Sequence, residues 1–135
     1  MIFRYWELQR DHEARFLPMV PIRARHNGNS VQFDALVDSG AEHNVFSLEI
    51  AEEVGLSLRK ARHVIVVGAG GHEIDGLLAM IELQVARHRW TAPTIFSAAG
   101  QRRAILGQIG FFAFFTVTFR YAAREIDIRR NRART

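Results

Sequence analysis

The chain contains no cysteine. That excludes a disulfide framework, a thiol nucleophile and thiolate metal ligation, although it does not fix a compartment. No apolar run approaches the roughly 18 residues expected of a membrane-spanning helix. The opening Met1-Ile2-Phe3-Arg4-Tyr5-Trp6-Glu7 lacks the apolar core of a signal peptide. These features lead to the expectation of a cytoplasmic protein with no membrane partner. Compact ligand spacing is missing as well. The six histidines form no His-Glu-x-x-His, and His63, His72 and His88 fall on separate expected elements, so no metal or other cofactor is expected. The glycines of Gly68-Ala69-Gly70-Gly71 lack the Lys-Ser/Thr and βαβ context of a phosphate loop.

What is present is one domain's worth of chain. Its 135 residues, 48% of them hydrophobic, suffice to bury a core. The net charge of +4 is local. Residues 1–118 carry 12 basic and 12 acidic side chains, whereas residues 119–135 carry 6 arginines against 2 acids. Arg129, Arg130, Arg132 and Arg134 form the densest cluster. An arginine tail of this kind is a candidate contact for nucleic acid, testable by salt-sensitive binding. A solubilising terminus is the simpler reading, because no interleaved aromatic and basic residues occur elsewhere, so nucleic acid is not the expected partner.

Short elements separated by turns dominate the pattern. Residues 1–17 are mixed and charged and read as an N-terminal extension, with Pro18 and Pro21 marking the expected start of the domain. Met19 to Arg25 and Val31 to Val37 read as strands joined at His26-Asn27-Gly28-Asn29, a strong hairpin signal. Ser47 is placed to cap a short helix with Leu48, Ala51 and Val54 inward and Gly55 at its end. Strands are expected at His63–Val67, Leu77–Val85 and Trp90–Phe96, the last with an edge or bulge at Pro93. Ala104-Ile105-Leu106 is an apolar run stopped by Gly107. Phe111, Phe112, Phe114 and Phe115 suggest a buried helical turn, followed by alternating strands through Val117–Tyr121 and Ile126–Ile128. The expectation is an all-β fold with one or two short helices, covering residues 18–128, and a basic tail at 129–135.

The segment Ala35-Leu36-Val37-Asp38-Ser39-Gly40-Ala41 puts a carboxylate at the end of an apolar strand, before a hydroxyl, a glycine and a small residue. A tight turn there presents Asp38 at a surface. Most turn aspartates bond their own backbone, which suffices for Asp34 and Asp75. The context of Asp38 differs, and it resembles the active-site loop of retropepsin-like aspartic proteases, as found in bacterial members of that clan. Ile105-Leu106-Gly107 resembles the second apolar-glycine element of that family, and Val67-Gly68-Ala69-Gly70-Gly71-His72 resembles its flap. Together these features can be laid over residues 19–128.

The resemblance implies a closed, barrel-like all-β fold and an aspartic endopeptidase acting on peptide or protein substrates. Asp38 is then catalytic, with Ser39, Gly40 and Ala41 supporting the loop. Only one such loop is present, so the resemblance also implies a homodimer that supplies the second carboxylate. Two such carboxylates share one proton and titrate as a unit. Val66 and Ile105 are expected to provide apolar walls for substrate. Glu42 and His43 lie beside the loop. The extra residues at both ends depart from the shorter viral enzymes, whose interleaved terminal sheet cannot be assumed here. A non-catalytic dimerisation or peptide-binding module with the same fold remains the alternative, since fold does not guarantee chemistry.

Overall fold

The computed structural model describes residues 1–67, 71–98 and 103–132. Strands dominate: β1 (Ile2–Arg4), β2 (Trp6–Arg10), β3 (Glu13–Leu17), β4 (Met19–His26), β5 (Asn29–Val37) and β6 (Asn44–Ser47) precede the one α-helix among the described residues, α1 (Leu48–Val54). There follow β7 (Arg62–Val67), β8 (Glu73–Val85), β9 (His88–Ser97), β10 (Ala104–Leu106), a π-helical turn at Gln108–Phe112, β11 (Phe115–Arg120) and β12 (Glu125–Arg130).

Seven strands form the main sheet in the order β4-β5-β10-β6-β9-β8-β7, and a further pairing of β4 with β8 closes it. Six strands thus make a ring, and β7 stands outside it, hydrogen-bonded to β8 alone among the described residues. This is the closed all-β fold expected from the sequence. The β4–β5 hairpin turns at Asn27 and Gly28, both with positive φ (46° and 83°), as the Asn-Gly signal requires. Alternation directs Ala35, Val37, Phe46, Ile81, Leu83, Phe96 and Leu106 into the core.

Helix α1 ends at Gly55, which adopts the left-handed conformation at φ 72° and donates its N–H to Glu52 O. Ala51 and Val54 are buried as expected, whereas Leu48 is exposed and Ser47 makes no side-chain cap bond. Pro93 lies inside β9, just before the Thr94–Ser97 stretch that pairs with β6. Phe111 and Phe115 are fully buried against Trp90, while Phe112 and Phe114 are half-buried.

The two ends of the chain meet. β12 lies between β1 and β11 in a three-stranded antiparallel sheet whose buried face carries Ile126 and Ile128. β2 and β3 form a separate hairpin with Trp6 and Leu8 exposed. Among the described residues no helix is long and apolar enough to cross a membrane.

Candidate active site

Asp38 follows the last residue of β5, and its position is set by the strand beside it. β10 runs parallel to β5 with Leu106 opposite Val37. The Asp38 N–H extends that ladder by donating to Leu106 O at 3.0 Å. The carboxylate then folds back: its Oδ1 accepts the Gly40 N–H at 2.9 Å, and Ala41 N–H reaches Asp38 O at 3.2 Å. This is an aspartate closing its own turn. Space rather than φ favours glycine at position 40. A Cβ there would lie 3.2 Å from Asp38 Oδ1 and crowd the carboxylate.

The segment after β10 fastens the rest of the loop. Gln108 N–H donates to Ala41 O and Ile109 N–H to Glu42 O, each at 2.8 Å, and Gln108 Nε2 donates to Ser39 O at 2.6 Å. Ser39, Gly40 and Ala41 are therefore held mainly through their backbone. Gly107 makes the close approach possible. A Cβ at that position would lie 2.5 Å from His43 O and 2.7 Å from Ala41 O. The loop and the Ile105-Leu106-Gly107 element, 67 residues apart in sequence, are thus one local structure.

Beneath them sits Asn44, fully buried. Its Oδ1 accepts the Gly107 N–H at 2.9 Å, and its amide nitrogen reaches Thr94 Oγ1 at 3.5 Å. Gly110 packs directly on the Asn44 amide, where a Cβ would overlap it, and Gly110 O accepts the Trp90 indole N–H at 2.8 Å. From the sequence, Asn44, Gln108, Gly110 and Trp90 carried no role in the site. A signal for Asn44 was available: it occupies the same alternation parity as core residue Phe46, where a polar side chain needs a partner.

The register exposes a second feature. Met19, Leu36, Ile105, Val45, Ile95 and Leu78 stand directly opposite one another from β4 across β5, β10, β6, β9 and β8. Paired residues share a face, so this apolar row lies on the sheet face opposite Val37, Phe46, Phe96 and Leu106, with Met19 and Ile95 buried in it. Leu36, Ile105 and Val45 are half-buried. Asp38 lies two residues beyond Leu36 along β5, beside the row one strand in from its β4 end, and is itself half-buried.

β7 and β8 form the hairpin expected to be a flap. Gly71 is exposed with φ 81°. Gly68, Ala69 and Gly70 lie outside the described residues. Val64, Val66 and Ile74 on one face of the hairpin are half-buried, while Ile65 and Val67 on the other are exposed. Glu42 is exposed and His43 half-buried. Among the described residues no group of three or more His, Asp or Glu side chains is placed to hold a metal ion.

A comparison with curated proteins finds no match. A protein-family model described as Aspartyl protease matches residues 22–109, a span that includes both the Asp38 loop and the Ile105-Leu106-Gly107 strand. With about two thirds of the sequence matched and the loop and its supporting strand joined in a closed β fold, the chain belongs to an aspartyl protease family of the retropepsin-like clan.

Proposed function

We propose that the protein is an aspartic endopeptidase, active as a homodimer in which each subunit contributes Asp38, with the cytoplasm as its expected compartment. The observation that carries this reading is a half-buried carboxylate, fixed by backbone hydrogen bonds at a strand end and bordered by an apolar row. A two-fold axis beside the loop brings the two Asp38 groups together. Close carboxylates do not both ionise at low cost, so the pair holds one proton. The ionised member removes a proton from water as the water attacks the peptide carbonyl. The protonated member hydrogen-bonds the carbonyl oxygen and later supplies the proton that the leaving amine needs. Ser39, Gly40 and Ala41 keep the loop in shape, with Ile105, Leu106 and Gly107 as its support. The β7–β8 hairpin serves as the flap over an extended peptide, and Val66 and Ile105 favour apolar substrate side chains.

The test is cleavage of a diverse peptide library between about pH 4 and 7, the range for a shared-proton pair, by the wild-type protein and Asp38→Asn. Sedimentation at the same concentrations reports the dimer. Cleavage lost in a folded, dimeric Asp38→Asn supports the reading. A folded, dimeric wild-type protein that cleaves nothing would instead make it a dimerisation or peptide-binding module.

A further inference from the structure

The apolar row does not stop at Leu78. Two residues further along β8, on the same face, Met80 stands opposite Pro93 of β9 and is 56% exposed. The connection after α1 passes beside this pair and leaves a groove of about 390 Å³, lined by Ser57, Lys60, Ala61, Leu78, Ala79, Met80 and Pro93. A neighbouring hollow shares Ser57 and Lys60 and adds Arg59. Arg62, opposite Leu78 in the β7–β8 register, continues the basic rim.

The charges around this groove are one-sided. Arg59, Lys60 and Arg62 are all exposed, and among the described residues none of them forms an ion pair. No carboxylate lines either hollow. Of the nearby acids of β8, Glu82 pairs with Arg25 at 3.4 Å, and Asp75 lies 3.6 Å from His63, an ion pair only when that imidazole is protonated. An apolar floor with three uncompensated cations at its rim suits an apolar side chain with acidic neighbours.

We propose that this groove is an exosite for peptide substrate, taking an apolar residue flanked by Asp or Glu at a distance from the bond cleaved. The inference rests on the endopeptidase reading and extends it. Four strand spacings separate the Leu36 and Leu78 positions, or about 19 Å along the sheet. Extended peptide covers that distance in roughly six residues. The recognised element therefore lies about six residues from the scissile bond, beyond the reach of side chains next to Asp38.

Binding is measured on the full chain carrying Asp38→Asn, so that its result does not depend on cleavage. The probe is a fluorescein-labelled Gly/Ser peptide bearing Glu-Glu-Leu-Glu-Glu, followed by anisotropy. Lys60→Glu is expected to weaken binding by about tenfold or more, and replacing the four Glu of the peptide by Lys is expected to abolish it. Leu→Ser in the peptide and Met80→Ser in the protein are each expected to weaken it several-fold. Lys60 is the only lysine of the chain, so acetylation of the folded protein gives a second test if the variant fails to fold. Equal affinity in Lys60→Glu or in the acetylated protein would overturn the proposal. So would equal binding of the Lys peptide, or equal competition by a single-stranded oligonucleotide, which would mark a general polyanion surface. Loss of self-association in Lys60→Glu with peptide affinity unchanged would assign the groove to a second copy and overturn it too.

Discussion

Asp38 and Asp127 each follow an apolar strand residue, and their surroundings differ sharply. Asp38, after Leu36 and Val37, is half-buried, and among the described residues its carboxylate accepts a single hydrogen bond, from Gly40 N–H at 2.9 Å. Asp127, between Ile126 and Ile128, is only 6% exposed. It faces the Met1 amino group at 3.4 Å, Arg129 at 3.5 Å and Arg120 at 3.8 Å. Burial pushes the Asp127 pKa up; the hydrogen bond from the amino terminus and the charge of Arg129 oppose this and prevail, holding the carboxyl below its usual range. A carboxylate surrounded by cations has its charge compensated and acts as a clasp between chain ends. One held by its own backbone keeps an open side, toward which water or a second carboxylate can approach. The loop that presents Asp38 is rigid because neighbouring backbone fixes it, without any opposing charge.

That contrast breaks most visibly by removing each charge in turn. Asp38→Asn is expected to lower peptide cleavage by at least about 10³-fold, since it removes the acid and base together. Its unfolding free energy should stay within about 0.5 kcal/mol of wild type, because the turn bond from Gly40 can still be accepted. Peptide turnover and urea unfolding on the same samples check both parts. Stability lost in Asp38→Asn, with cleavage preserved, would reverse the assignment.

The next largest effects lie under the loop. Asn44→Ala removes the acceptor for the buried Gly107 N–H and is expected to cost about 1–3 kcal/mol. Gly110→Ala drives a methyl group into the Asn44 amide, an overpacking penalty of roughly 1–3 kcal/mol. Both should also reduce cleavage measured well below their melting temperatures, because Gln108 and Ile109, which follow the Gly107 anchored on Asn44, hold Ser39, Ala41 and Glu42 in place. Urea midpoints and turnover at low temperature separate the two effects. An Asn44→Ala variant that unfolds like wild type would show that the loop is held by backbone pairing alone.

The parts of this arrangement that were legible in sequence are those with local signals. Asn27-Gly28 identified the β4–β5 hairpin, and the apolar run into Asp38-Ser39-Gly40 located the loop. The stop at Gly107 located the supporting strand. What stayed hidden depends on contacts between distant segments. Nothing near Asn44 says that it will meet Gly107 and Gly110, more than 60 residues later. The alternation through Val117, Phe119 and Tyr121 suggested one buried face, but the sheet edge leaves Phe119 and Tyr121 exposed. Likewise the mixed charges of residues 1–17 gave no sign that β1 would pair with β12. Leu48 reads as a core residue from helical spacing, yet the helix turns it outward, since only Ala51 and Val54 are buried along α1.

A smaller effect is expected from Asp127→Asn, and its pH dependence is the useful part. The folded pKa of Asp127 is lowered, so its ionised form contributes stability above the unfolded value. That contribution is lost as pH falls through the folded value. Wild type should therefore exceed Asp127→Asn in stability near neutral pH, and the gap should narrow on acidification below about pH 4. Thermal melts of both proteins across this range provide the check. A gap that widens toward acid would mean that the cations around Asp127 do not govern its ionisation.

The smallest expected effect concerns what joins the β2–β3 hairpin to the terminal sheet. The Arg124 guanidinium lies 3.8 Å from the Phe16 ring centre and 4.3 Å from that of Tyr121, and Tyr5 N–H donates to Arg124 O at 2.9 Å. Arg124 itself has φ 57°, a conformation that glycine adopts without strain. Arg124→Gly thus removes the cation while relieving the backbone, whereas Arg124→Ala removes the cation and keeps the strain. Loss of the cation–π contacts at this half-buried site should cost about 0.5–1 kcal/mol each. Hydrogen exchange is expected to quicken at residues 6–17 in both variants, with the glycine variant globally more stable than the alanine one. Cleavage should be unchanged in either, because among the described residues no hydrogen bond or ion pair joins residues 6–17 to the Asp38 loop. A drop in activity with no change in the hairpin's exchange would mean that the terminal sheet and the active loop are coupled. The two aspartates would then belong to one mechanical unit rather than two.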